Sequence, residues 1–210
     1  MSEPERWSVS WSCSDGRVEA REPTRPEVAA AAVRLSGWYN EGHNRAMMSN
    51  EEEMDPGDVL DYFDDGWKEG GRHFLLYAEG QLMGDADLRH IDLATRTAEF
   101  AILIGERKVQ GRGYGMRFAL MLHTLAFTAL DLERIYVSII PANRGSLRLF
   151  EKLGYQRDDS PAARRYIDED DDVTMSFGRR DFLGLHGDTN HQLTIARRPP
   201  EATAFALEEK

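Results

Sequence analysis

Between Val109 and Ala119 the chain reads VQGRGYGMRFA, three glycines in five positions with two arginines among them, leading straight into an apolar run. Arg107, Lys108, Arg112 and Arg117 place four positive charges within eleven residues, and no acid occurs from Arg107 to Leu130. Glycines let a backbone come close to a ligand, and a helix start offers unpaired N–H groups with a partial positive charge. The combination suits an anion such as a phosphate. Two phosphate-binding loops do not fit the spacing. A Walker A loop needs a lysine after its glycines, and none follows here. A dinucleotide fingerprint needs GxGxxG and an acid near the end of the next strand, whereas this chain has GxGxG and a next strand ending Ile139-Ile140-Pro141. For the segment in isolation, a tight turn with solvated arginines is the competing reading.

The elements around the loop follow from periodicity. From Met116 to Leu130, Phe118, Met121, Leu122, Leu125 and Ala129 share a helical face. Upstream, RHFLLYAEG from Arg72, a Gly80-Gln81 turn and LMGDADLRHID read as an antiparallel hairpin, and TRTAEFAILI (Thr95 to Ile104) as a further strand. Downstream, RIYVSII (Arg134 to Ile140) is a strand stopped by Pro141. NRGSLRLFEKL (Asn143 to Leu153) is a short helix with Gly154 suited to its left-handed end, and DVTMSF (Asp172 to Phe177) is a last strand. Earlier lie a strand over Gly16 to Pro23, a helix capped by Thr24, and an acidic helix within Asn50 to Trp67. The order βαα, ββ, βαβαβ describes one α/β domain over residues 16–185. Residues 1–15 are expected as an N-terminal extension, either an extra edge strand or a mobile arm, and 186–210 as a C-terminal tail or an arm that packs on a partner.

Gln110, Gly113 and Gly115 also match in full the pattern [QR]xxGx[GA], the pyrophosphate loop of acyl-CoA-dependent N-acyltransferases. With AEFAILI before it and PANRGSLRLFEKLGY after it, in order and spacing, the chain resembles the GCN5-related N-acetyltransferase (GNAT) family. More narrowly it resembles the ribosomal-protein and spermidine N-acetyltransferase-like branch, over roughly residues 16 to 180. The resemblance implies the GNAT fold, an α/β (α+β) architecture with a mixed, mostly antiparallel central sheet flanked by helices. In it the AEFAILI strand splays from RIYVSII to admit the cofactor arm. It implies acetyl-CoA as acyl donor and no metal. Backbone groups of Ile102, Leu103 and Ile104 would bond the pantetheine amides as an added strand does. Gln110, Gly111, Arg112, Gly113, Tyr114 and Gly115 would hold the pyrophosphate, with Asn143 and Ser146 beside the cofactor arm. Asn143 has a competing role as an N-cap, and both can hold.

Acyl transfer from a thioester to an amine needs a neutral amine, a stabilised oxyanion and a proton for the departing thiolate. Glu99 matches a position where relatives often carry a glutamate that accepts the amine proton; the equal alternative is a strand-surface acid paired with Arg96 or Arg89. The oxyanion falls to a backbone N–H near Ile102 to Ile104. At the proton donor the chain departs from its relatives, many of which read NxxAxxLYxKxGF with the tyrosine as acid. Here Phe150 stands in that place, and Tyr155 occupies the position of the phenylalanine in the GF pair. Tyr155 thereby becomes the candidate donor, with Ser146, Tyr136 or water as substitutes. A thiol's pKa of about 8.5 makes the dedicated acid helpful rather than obligatory. Phe150 also keeps open an alternative, an acyl-CoA-binding or sensor domain with little catalytic activity, which Glu99 opposes.

Composition narrows the partners. The 210 residues carry a net charge of -11, which repels nucleic acid. No apolar run approaches the roughly 18 residues of a membrane span, and the N-terminus lacks a secretion signal, so a cytoplasmic location is expected. Cys13 has no partner cysteine and no ligand spacing, and the DEDDD run of Asp168 to Asp172 lacks the glycine turn of a cation loop. Eight acids fall between Glu51 and Asp65. A negative cleft would draw a polyamine, an aminoglycoside-like amine or a basic protein N-terminus, while solvated surface charge is the competing reading. Trp38, Tyr39, Trp67 and Tyr62 either wall that acceptor site or pack the helix core. His43, His73, His90 and His123 show no ligand spacing. A homodimer is expected by analogy alone, with 186–210 as a contributor.

Overall fold

The computed structural model describes residues 5–13, 16–48, 52–167 and 169–198. Expectations that fall on Glu51, Asp168, the Cys13 side chain and residues 199–210 lie outside the described residues. Helix α1 (Arg25–Tyr39) begins at a capping box: the Thr24 hydroxyl oxygen accepts from the Glu27 N–H, and the Glu27 carboxylate accepts from the Thr24 N–H. The helix buries Val28, Ala31, Ala32 and Leu35, the spacing of one face. A six-residue helix follows, α2 (Gly42–Met47), which the periodicity does not announce. Helix α3 (Pro56–Lys68) is capped by Asp55 and Asp58 and buries Val59 and Phe63. Helix α4 (Tyr114–Thr128) is buried without interruption from Phe118 to Phe127, so it runs through the interior rather than along the surface. Helix α5 (Arg144–Leu153) ends at Gly154, whose φ of 114° lies in the left-handed region. A last helix, α6 (Arg179–His186), follows the central strands.

The strands are β1 (Arg6–Cys13), β2 (Gly16–Arg21), β3 (Arg72–Ala78), β4 (Gln81–Asp92), β5 (Thr97–Ile104), β6 (Arg134–Ile139), β7 (Gln156–Arg157), β8 (Val173–Gly178) and β9 (Leu193–Arg198). They form one sheet in the order β7-β8-β6-β5-β4-β3-β2-β1-β9. Neighbours are antiparallel except β5 and β6, so the sheet is mixed and mostly antiparallel, as the resemblance implied. Because successive strand residues point to opposite faces, one set of strands feeds two cores. Phe74, Leu76, Ala86, Leu88 and Phe100 pack with α4, whereas Leu75 and Leu82 pack with α1 and α3.

The sheet extends past both boundaries drawn from the sequence. In RWSVSWSC, Trp7, Val9 and Trp11 alternate with serines, and this face packs on the α4 core. β1 pairs β2 on one side and β9 on the other, so it is an interior strand rather than the extra edge strand expected. The edge is β9, held from Arg6↔Arg198 to Trp11↔Leu193, with Leu193 and Ile195 on the same core. Strands β1 and β9, far apart in sequence, thus pair at one side of the sheet, each being only half-apolar.

Strands β4 and β5 approach more closely at Gly84 than a side chain allows: a Cβ there would stand 1.8 Å from the Leu103 carbonyl oxygen. Gly84→Ala is expected to push β5 away and cost about 1–3 kcal/mol, a fall in Tm of roughly 2–10 °C. Calorimetric melting of the variant checks this, and an unchanged Tm would show that the strands move apart freely.

Candidate functional site

The parallel pair β5/β6 holds for only three residue pairs, Thr97↔Arg134 to Glu99↔Tyr136. From Phe100 onward β5 stays on β4 through Ile104, while β6 stays on β8 through Ile139. Their facing edges part, and a cleft of about 260 Å³ opens there. Phe100, Ala101, Ile102 and Leu103 of β5 line one side, and Ser138, Ile139 and Ile140 the other. Asn143, Ser146 and Phe150 of α5 line it as well. The backbone edge of β5 at Ile102 and Leu103 is therefore exposed to whatever fills the cleft, with no strand pairing on that side among the described residues.

Beyond β5 the glycine loop carries the chain to α4. Gly111 and Gly113 have φ of 74° and 87°, a conformation that favours glycine, and a Cβ on Gly113 would meet nothing within 4 Å. Glycine serves there for its backbone angle and not for space. Gly113 begins α4 with no side-chain cap, and the first helical bond runs from Arg117 N–H to Gly113 C=O. The N–H groups of Tyr114, Gly115 and Met116 thus end a fifteen-residue helix without a capping side chain. Arg107, Lys108, Gly111, Arg112 and Gly113 are exposed around them. Arg117 lies 6.0 Å from the Tyr114 ring, which stacks on Phe118.

Gln110 anchors the loop. Its Nε2 donates to the Ile104 carbonyl at 2.7 Å and to Asn44 Oδ1 at 3.0 Å. The Asn44 Nδ2 in turn donates to the carbonyls of Trp38 and Gly105. Asn143 Oδ1 accepts the Ser146 N–H at 3.0 Å, the N-cap role, and its Nδ2 donates to the Met47 carbonyl at 3.2 Å. Helix α2, absent from the sequence reading, therefore braces both walls of the cleft.

The floor is polar. Along β4, Ala86 and Leu88 enter the α4 core, while Asp85, Asp87 and Arg89 line the cleft on the face covered by α1 and α3. Tyr39 of α1 donates its hydroxyl to Asp85 Oδ2 at 2.8 Å, and Tyr62 of α3 donates to Asp87 Oδ2 at 2.6 Å. Asp85 is 7% exposed and Asp87 4%. In both, Oδ1 is buried with no hydrogen-bond partner. Burial, reinforced by the charge of Asp87 and opposed by the Tyr39 hydrogen bond, raises the Asp85 carboxyl to about 7. Burial and the neighbouring carboxylates push both tyrosine hydroxyls well above their ordinary range, so they stay donors. Neither aspartate was singled out from the sequence, although the D-A-D-L-R alternation carried the signal.

Glu99 is placed differently from a group waiting at the cleft. It is 1% exposed, accepts from Arg89 Nη2 at 2.6 Å through Oε1, and faces His90 Nδ1 at 3.0 Å through Oε2. The Arg89 pairing allowed by the sequence is present, but inside the protein; Arg96 instead pairs with Asp131 and Glu133. Tyr155 lies in the α4 core, 4% exposed, with its hydroxyl bonded to His123 Nε2. His123 Nδ1 in turn meets the Ala119 carbonyl, and burial drives that imidazole down to about 3, so it is neutral. The Tyr155 hydroxyl is therefore turned away from the cleft, which Phe150 faces. Of the acidic stretch leading into α3, Asp55 and Asp58 cap the helix, while Glu53, Asp64 and Asp65 pair with Arg45, Arg25 and Lys68. From the DEDDD run Asp172 reaches the cleft, its Oδ2 accepting from Ser138 at 2.7 Å. Tyr39 and Tyr62 line the site, whereas Trp38 packs over Gly105 and Trp67 over Phe63 and His73. Among the described residues no cluster of His, Cys, Asp or Glu is arranged to hold a metal, and no helix is long and apolar enough to cross a membrane.

Comparison with known proteins places this architecture. The model of the acetyltransferase (GNAT) domain matches residues 17–156. Spermidine N(1)-acetyltransferase of Escherichia coli strain K12 is 31% identical over 84 residues, 40% of this chain and 45% of that protein. The matched part thus spans about half the length of that curated relative. Mycobacterium smegmatis RimJ in complex with CoA-disulfide superposes with a TM-score of 0.65 at 15% identity, over 86% of this chain and 94% of that one. Spermidine N-acetyltransferase from Vibrio cholerae in complex with CoA and spermine gives 0.64 at 19% identity, over 79% and 98%. The structural likenesses establish the fold. With the splayed strands, the glycine loop at the helix start and the family match over most of the chain, the protein belongs to the GNAT acetyltransferase family.

Proposed function

We propose that the protein transfers an acetyl group from acetyl-CoA to a primary amine by direct attack in a ternary complex. One observation carries the reading: the uncapped start of α4 opens at the same end of the sheet as the gap between β5 and β6. An elongated ligand with an anionic middle and an amide-bearing arm suits such a continuous site. In this reading Gly111, Arg112, Gly113, Tyr114 and Gly115 hold the pyrophosphate by backbone N–H groups and charge, with Gln110 fixing the loop from behind. Backbone groups of Ile102, Leu103 and Ile104 bond the pantetheine arm, and Asn143 and Ser146 flank it. The acceptor enters over β4, where carboxylates favour a cation such as a polyamine or a protein N-terminus. A cytoplasmic enzyme that pairs into a homodimer completes the reading. The acyl-CoA sensor remains a second reading because Phe150, an apolar ring, lines the cleft where relatives carry a proton donor.

Thiol release from acetyl-CoA separates the two, measured with polyamines, aminoglycosides and basic N-terminal peptides against a no-acceptor control. Acceptor-dependent release establishes the enzyme; calorimetric acetyl-CoA binding without release across the panel supports the sensor. Gly113→Val forces a β-branched residue to φ near 87° and is expected to weaken CoA binding at least about tenfold. Unchanged affinity would remove the loop from the site. Tyr155→Phe leaves His123 Nε2 without its partner and is expected to cost about 1–3 kcal/mol of stability while leaving kcat intact. A large fall in kcat with an unchanged Tm would restore Tyr155 as the proton donor.

A further inference from the structure

The buried floor of the cleft holds chemistry that the loop and the gap do not use. Asp85 and Asp87 are more than nine-tenths buried, each has one oxygen taken by a tyrosine hydroxyl, and each keeps an unpartnered Oδ1 beside the cleft. A buried carboxylate oxygen without a donor is costly, so a cleft that retains three of them, Asp172 Oδ1 included, is built for a donor that arrives. The surroundings specify which donor. Tyr39 and Tyr62 face the pair from α1 and α3, His73 lies opposite on β3, Arg89 follows on β4, and Asp172 lines the far side. The two tyrosines already donate to the pair, and burial lowers His73, whose Nε2 makes no hydrogen bond to either aspartate. Arg89 is bound to Glu99, whose second oxygen faces His90. Asp172 adds a further carboxylate. The balance of charge is negative, and the missing partner is a cation with N–H groups.

Resting on the N-acetyltransferase reading, we propose that Asp85 and Asp87 form the acceptor-ammonium subsite, and that Asp85, rather than Glu99, is the base that deprotonates the amine. The ammonium N–H bond breaks and its proton passes to Asp85 Oδ1, leaving a neutral nitrogen and a carboxylic acid. The nitrogen bonds to the thioester carbonyl carbon, the carbon–sulfur bond breaks, and the sulfur leaves with the second nitrogen proton as thiol. Asp85 then returns its proton to water. Asp87 holds the cation, or a second ammonium of a polyamine, in place. A carboxyl raised to about 7 by its burial is matched to this duty, since a base works best near the ambient pH. Glu99 has both oxygens engaged and is left as the group that positions Arg89.

The test uses the full chain with CoA and spermidine as the probe, by calorimetry in two buffers of different ionisation heat at pH 7. A cation bound beside a half-protonated Asp85 displaces its proton, so the apparent enthalpy depends on the buffer. Asp85→Asn is expected to weaken spermidine binding at least about tenfold and to abolish the proton release, while CoA binding is unchanged. In turnover with the acceptor that gives thiol release, the rising limb of kcat/KM near pH 7 disappears and kcat falls about a hundredfold. Tyr39→Phe, which removes the hydrogen bond that lowers the Asp85 pKa, shifts that limb to higher pH and guards against a variant that simply misfolds. Folding has its own signature. Between the ordinary value of 3.8 and the folded value of about 7 the native state holds a proton that the unfolded chain has lost. Stability therefore falls as pH rises through that window, and Asp85→Asn removes the slope. Spermidine binding that is absent, or that keeps its affinity and proton release in Asp85→Asn, overturns the proposal. Absence of thiol release from the wild-type chain with every amine overturns the enzyme reading instead, which the binding experiment does not depend on.

Discussion

Three pairs of parallel hydrogen-bonded residues, Thr97–Glu99 against Arg134–Tyr136, and the parting that follows them govern the organisation of the molecule. A sheet that stops pairing in its middle exposes polar backbone inside the protein, a costly arrangement unless something else holds the strands. Here β5 is kept on β4 by close approach at Gly84, and its end is pinned by Gln110 on the Ile104 carbonyl. Gly105 lies under Trp38 with no space for a Cβ, the nearest ring atom being 2.0 Å from where it would stand. Asn44 joins the Trp38 and Gly105 carbonyls to Gln110. The gap is thus held open by side-chain amides standing where a neighbouring strand would otherwise bond.

Charge is distributed to match. The protein carries a net charge of -11, yet the mouth of α4 is ringed by Arg107, Lys108 and Arg112, and the opposite end of the cleft rests on aspartates. On the proposed function, this separation would draw a donor with phosphates and an acceptor with ammonium groups to opposite ends of one cleft. Most other acids are engaged locally. Asp55 and Asp58 satisfy the N–H groups at the start of α3, and Asp131 and Glu133 bind Arg96 and Arg179. Exposed pairs of this kind contribute little to stability, which leaves the partly buried Arg72–Glu22 pair, joining β3 to the residue after β2, and the Arg198–Glu27 pair, joining β9 to α1.

Local rules made much of this legible. Capping residues, glycines after helices and alternating strands marked α1, α3, α4, α5 and the central strands, since these are decided within a few residues. The glycine loop was legible for the same reason, because closely spaced glycines ahead of an apolar helical run mark a turn into a helix start. Helix α2 was not, since six residues with one buried side chain, Asn44, give no periodicity. Strands β1 and β9 are half-apolar and acquire their meaning from each other and from β2.

The sequence by itself determined the order of the elements and the glycine loop before α4, because these are fixed by spacing along the chain, and through the resemblance those motifs carry it pointed to the family and its mixed sheet. Tertiary structure decided which acids do what. An alternation such as D-A-D-L-R reads locally as a strand with one solvated face, and only the packing of α1 and α3 over β4 turns that face inward. That packing leaves Asp85 and Asp87 each an oxygen without a donor, the β4/β5 register gives Glu99 to Arg89 and His90, and the separate α4 core turns the Tyr155 hydroxyl to His123. Ionisation and reach depend on burial and on partners distant in sequence, which no short-range pattern records.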